Sequence, residues 1–193
     1  MKIISGGFAI GVAFGAATAL VNALSSPYSE LGMPLTGTVV GMTAKVLSLL
    51  FDAGWSWAAL AVLTGWLARS LTRGAVVGAL SLVGATVAYY VTDATVADAG
   101  TDTGVWVAVG VPFGLVLGAL GSAIRRPGAI GLLAALVVPA GAAAQMIVMP
   151  PRPHLTITPS IVVAEVIVWT CAVLGTAWAV RRFWTQRNTA ATV

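Results

Sequence analysis

Residues 161–180 read IVVAEVIVWTCAVLGTAWAV. Across twenty positions there is one charged group, Glu165, and the remainder is apolar or small, with two threonine hydroxyls. About 20 such residues in a helix cross a hydrocarbon core of roughly 30 Å. The stretch therefore reads as a membrane span. It raises two questions: how many more spans there are, and why this one carries a carboxylate.

Composition answers the first in outline. The chain has 193 residues, 59% of them hydrophobic and only 8% charged. A soluble domain carries about 25% charged residues. So few charges cannot cover a water-facing surface, and lipid must be the solvent for most of this one. The net charge is +4. Its basic residues fall at segment ends rather than along one stripe, which excludes a nucleic-acid surface. The single cysteine, Cys171, sits inside an apolar run, with no disulfide partner and no metal-ligand spacing around it.

Six segments have the length and apolarity of spans: 6–24, 53–68, 74–91, 104–124, 128–149 and 157–180. The first belongs to an apolar region of residues 3–24, longer than the 7–15 residues of a signal-peptide core, so it is expected to stay as a span. Residues 39–51 are ambiguous. Thirteen helical residues reach only about 20 Å. Lys45, Ser48 and Asp52 fall on one side of that helix and Met42, Val46, Leu49 and Leu50 on the other. They read as an amphipathic helix in the interface or as a re-entrant piece. The expected fold is all-α, one domain over 1–193: a six-helix transmembrane bundle with an amphipathic helix in the first external loop.

Charge supports that count. With the N-terminus inside, the cytoplasmic ends hold Lys2, Arg69, Arg73, Arg125, Arg126, Arg181, Arg182 and Arg187. The outer side holds Glu30, Asp52, Asp93, Asp98 and Asp102, with Lys45 and Arg152. This is the positive-inside pattern, and it places both termini in the cytoplasm of a multi-pass protein of the plasma membrane.

Small residues mark helix contacts, because they let backbones approach in lipid. The first span has two such faces, one with Gly7, Gly11 and Gly15, the other with Ala9, Ala13 and Ala17. Two small faces imply two neighbours, one of them a partner protein, so Ala9, Ala13, Ala17, Gly11 and Gly15 are its expected contacts. The fourth span repeats the device with Gly110, Gly114, Gly118 and Ser122, and the sixth with Glu165, Val168, Ala172, Gly175 and Ala179.

Intramembrane polar residues gather at one depth. Asn22, Tyr89, Tyr90 and Gln145 come late in outward-running spans, and Glu165 early in an inward-running one. Several polar groups at one level point to a ligand pocket opening outward. Glu165 has three readings: an ion pair with Lys45 or Arg152 or a hydrogen bond to Gln145 or Asn22; a ligand contact beside Tyr89 and Trp55; a proton relay. The stiff segment MPPRPHLTITP brings Arg152 and His154 to the same end. With no second histidine, no phosphate-binding glycine loop and no nucleophile set, neither a metal site, a cofactor nor an enzyme is expected.

Two resemblances rest on these features. The run WAALAVLTGWLARSLTRGAVVGALSLVGATVAYYVTD, Trp57 to Asp93, resembles an uncharacterised family of small actinobacterial membrane proteins, through its GWLAR run, basic turn and YY-x-x-D end. That implies no activity. The overall plan is similar to the substrate-binding S components of energy-coupling-factor transporters. The resemblance implies a capped outer pocket and a first helix that docks on a coupling subunit, here through Ala9, Ala13 and Ala17, with the loop from Ser25 to Asp52 as cap. The expected function is a small-molecule binding subunit of a membrane transporter. The alternative is a structural or assembly subunit of a larger membrane complex, without transport or catalysis of its own.

Overall fold

The computed structural model describes residues 2–96, 103–151 and 157–191, and the side chains of all of these except 189–191. Arg152, His154, Asp98 and Asp102 lie outside the described residues. The described residues are helical, with no strand among them. The helices are α1 (Lys2–Ser25), α2 (Val39–Phe51), α3 (Gly54–Ala68), α4 (Leu71–Val96), α5 (Thr103–Ala123), α6 (Ala129–Val148) and α7 (Pro159–Ala191), with a short 3-10 turn at Met33–Leu35. Five are long and apolar enough to cross a membrane: α1, α4, α5, α6 and α7. The second expected span is the 15-residue α3, about 22 Å long. It meets α2 across a 65° bend, and only the two together pass the same test.

Local signals set the boundaries. The Thr38 hydroxyl accepts from the Gly41 N–H at 3.1 Å and opens α2. Arg69 adopts a left-handed conformation (φ 62°) and ends α3. Gly128, at φ 78°, turns the chain into α6.

Helix α4 is the hub, packed against α1, α3 and α5. It runs parallel to α1, with Gly7 against Val77, Gly11 against Ser81 and Gly15 against Ala85. A methyl on Gly11 or Gly15 would overlap the α4 backbone. These two glycines were expected to contact a partner protein; both are buried inside the chain instead. Ala9, Ala13 and Ala17 lie on the exposed side of α1. On the other flank of α4, Gly74 and Gly78 meet Gly114 and Gly118 of an antiparallel α5. Gly65 of α3 abuts Gly118, and Gly121 abuts the Val62 carbonyl. The hydroxyls of Thr64 and Ser81 hydrogen-bond across α3 and α4 at 3.1 Å. The largest fully buried side chains are Val77, Thr18, Thr64 and Ser81. Backbone contact, rather than bulky side chains, fills this core, as suits helices packed in lipid.

Helices α6 and α7 form a second unit. Helix α7 packs only on α6 and α2 among the described elements. Its buried face carries Glu165, Val168, Ala172 and Ala179, with Gly175 against Pro139 of α6. Ser160 donates to the Met42 carbonyl at 3.4 Å. Further along, Leu50 and Trp55 pack on the cluster of Ala142, Met146 and Val168. From Ser160 to Val168 a helix advances about 12 Å, so α2 descends along α7 by a comparable depth. Its polar side is divided, with Lys45 and Asp52 exposed. Ser48 is buried toward α1, while Val39, Val40 and Met42 are exposed.

The helix directions bring basic residues to one end. Lys2 and Arg73 line one hollow there. The Arg125 side chain donates to the Trp66 carbonyl at 3.0 Å and lies 4.4 Å over that ring. Arg126 and Arg182 line another crevice at this end. Asp52 and Asp93, within electrostatic reach of each other, belong to the opposite end.

Candidate functional site

At the acidic end, three polar side chains converge on Asn22 of α1. The Ser48 hydroxyl of α2 donates to Asn22 Oδ1 at 2.6 Å. Asn22 Nδ2 donates to the Tyr89 Oη of α4 at 3.3 Å. The same amide faces Asp52, just past the end of α2, within electrostatic reach. The amide thus gives its oxygen to Ser48 and its nitrogen to Tyr89, on the side of Asp52. That one group ties α1, α2 and α4 together. Lys45 is exposed and acts on Asp52 only through its field.

The bend itself has its backbone groups satisfied. Gln145 of α6 reaches across and accepts from the Trp55 N–H at 3.0 Å, supplying a partner for a free donor at the start of α3. The Ser56 hydroxyl donates to the carbonyls of Phe51 and Ala53, each at 2.6 Å. Broken helix at membrane depth is tolerated where protein supplies such partners.

Aromatic rings stack away from this knot. Phe14 lies 5.8 Å from Phe51 and 5.5 Å from Trp57; Trp57 is 6.1 Å from Tyr89, and Tyr89 is 5.2 Å from Tyr90. The last three contacts are edge-to-face, the arrangement aromatic pairs favour. Beyond them is a cavity of about 400 Å³ between α3, α4 and α5. Asp52, Trp57, Tyr89, Tyr90, Trp106 and Phe113 carry its chemistry, over a base that includes Leu82 and Val109. A volume of that order holds a small organic molecule.

The five residues expected to share one site are divided. Asn22, Tyr89 and Tyr90 come together, with Tyr89 and Tyr90 on the cavity wall and Asn22 behind it. Gln145 does not line the cavity; it holds the start of α3, with Gly54 between it and the void. Glu165 is buried on the face that α7 turns to α6 and α2, a turn from Val168. Trp55 packs beside that face, but Tyr89 belongs to the other cluster. The loop expected as a cap contributes Asp52 alone to the lining, and α2 packs on α1 and α7 instead. Asp52, Trp106 and Phe113 were missed. The signal for Asp52 was its place between two short helices with tryptophan at the start of the second. Among the described residues, no three His, Cys, Asp or Glu side chains gather as a metal site would need.

A broader hollow of about 620 Å³ runs along α6 and α7, past Pro139, Trp169 and Val173. It is a shallow, mostly apolar trough and offers a ligand little chemistry.

No protein-family model, curated protein or solved structure matches this chain. Function therefore rests on the site.

Proposed function

We propose that the chain is a six-span protein of the plasma membrane, and the small-molecule binding subunit of a transporter. Spans one, three, four, five and six are α1, α4, α5, α6 and α7. The second is the bent pair. Helices α2 and α3, of 13 and 15 residues, reach about 35 Å end to end across their 65° bend, enough for the hydrocarbon core. The basic end is cytoplasmic by the positive-inside rule, with both termini there, and the acidic end faces out.

The observation that carries the functional reading is the cavity of about 400 Å³ at the acidic end, which joins one carboxylate to five aromatic rings. Asp52, Trp57, Tyr89, Tyr90, Trp106 and Phe113 contact the ligand, and Asn22 holds Tyr89 in place. Gln145 and Glu165 hold the bundle: the first at the bend, the second between α7 and its neighbours. The architectural likeness to energy-coupling-factor S components adds a coupling partner, met by the exposed Ala9, Ala13 and Ala17 face of α1.

That same exposed face favours the second reading, an assembly subunit that binds no ligand. Purification from native membranes in mild detergent separates the two, with mass spectrometry on everything retained. A transport ATPase with a coupling subunit, or a held small molecule, supports the first reading. A respiratory, secretion or envelope-synthesis complex supports the second. Ala13→Leu is expected to release the partner in either case, with the bundle still folded. Continued co-purification removes the α1 face as the interface.

A further inference from the structure

We infer that the cavity at the acidic end takes an organic cation, a protonated amine or quaternary ammonium with short alkyl groups. This rests on reading the cavity as a ligand site, and names the chemical class of its ligand.

The first ground is the sign of the charge. Among the described residues, Asp52 is the one charged residue on the lining, and no lysine or arginine lines the cavity. Asp93 adds a second negative field at the same end, opposed by Lys45, whose side chain is exposed on α2. A carboxylate offers about four acceptor positions. The Asn22 amide occupies one side of Asp52, and acceptor capacity remains toward the void. An anionic ligand would meet an uncompensated carboxylate there. A cation would complete an ion pair with Asp52 beside apolar walls that lower the local dielectric.

The second ground is the rings. Tyr89 and Tyr90 stand at 89° to one another, and Trp57 stands at 69° to Tyr89. All three rings line the same void. With the half-exposed Trp106 and Phe113 from α5, five aromatic side chains and one carboxylate line a single void. The negative faces of aromatic rings attract ammonium groups, most strongly where water is excluded. A neutral apolar ligand would use the rings but leave the Asp52 carboxylate, exposed at the edge of the lining, without a counter-charge.

The third ground excludes a bare metal ion. Divalent cations require several oxygen ligands at short range. The lining supplies one carboxylate and otherwise mostly rings and aliphatic groups. Leu82, Val109 and Gly110 suit alkyl groups on the nitrogen.

The test uses the full chain in dodecyl maltoside, which has no ammonium head group. Choline is titrated by calorimetry and by tryptophan fluorescence, beside its uncharged isostere 3,3-dimethyl-1-butanol. Saturable choline binding at least tenfold tighter than that of the isostere is expected. Asp52→Asn and Trp106→Leu should each weaken choline at least tenfold. Trp106 stands outside the Asn22 network, so its variant keeps the result interpretable if Asp52→Asn fails to fold. The cation class falls if the isostere binds as tightly as choline, or if Trp106→Leu leaves choline binding unchanged. The ligand-site reading survives that failure if a neutral or anionic compound, released from the native protein, binds and is lost in Trp106→Leu. Both fall if choline, the isostere and every released compound leave fluorescence and heat unchanged.

Discussion

The bundle is held by two kinds of contact. Between α4 and its neighbours α1 and α5, backbone meets backbone through Gly11, Gly15, Gly78, Gly114 and Gly118. Between α6 and α7, side chains mediate: a methyl group on Gly175 would meet Pro139 at an ordinary 3.5 Å, and Met146 packs with Val168 and Trp55. Glycine contact has no slack, because a methyl group there must displace a carbonyl. Side-chain contact has slack, because a rotamer can move. The aromatic cavity lies against the rigid part, among α3, α4 and α5, while the broad trough of α6 and α7 lies on the looser one.

The comparison is sharpest at Gly118, which touches α4 and α3 at once. Gly118→Leu should cost about 3 kcal/mol or more, the upper range for overpacking a tight core. Aggregation on size-exclusion chromatography is the expected reading, and a monodisperse variant with unchanged Tm would refute backbone contact there. Asn22→Ala comes next. It removes hydrogen bonds to Ser48 and Tyr89, a loss of about 2 kcal/mol. Thermal unfolding should show the fall, and choline binding should weaken as Tyr89 comes loose. Gln145→Ala should be milder, about 1 kcal/mol for the bond to the Trp55 N–H. An unchanged Tm would mean that the bend holds without α6. Gly175→Ala should be smallest, within about 0.5 kcal/mol, as for a substitution that meets no tight neighbour. A large loss there would erase the difference between the two regions.

The same contrast explains what the sequence could reveal. The Gly114, Gly118 and Ser122 stripe was readable because it repeats every four residues on an otherwise bulky helix. Gly74, Gly78 and Gly84 were not singled out, because α4 is small on most of its surface and no face stands apart. In α1 both faces are small, so spacing alone did not tell Gly11 and Gly15, used internally, from Ala9 and Ala13, left exposed. The site was half legible. Depth placed Asn22, Tyr89, Tyr90, Gln145 and Glu165 on one level, but a level is not a neighbourhood. Glu165 sits with α6 and α2, away from the tyrosines, since the order of helices around the bundle is not written in hydropathy. Asp52 looked like a loop charge because 39–51 is too short to cross alone. Only the bend between α2 and α3 brings it to the rings.

The measurement that tests the account most directly is labelling of a cysteine placed at the cavity mouth. Trp106→Cys would be made in a Cys171→Ser background, since Cys171 is exposed on α7. Intact cells would be treated with a membrane-impermeant maleimide, beside a Ser70→Cys control at the basic end. The account predicts that position 106 labels from outside and position 70 only after permeabilisation. The reverse would place the aromatic cavity in the cytoplasm and contradict an outward-opening binding site.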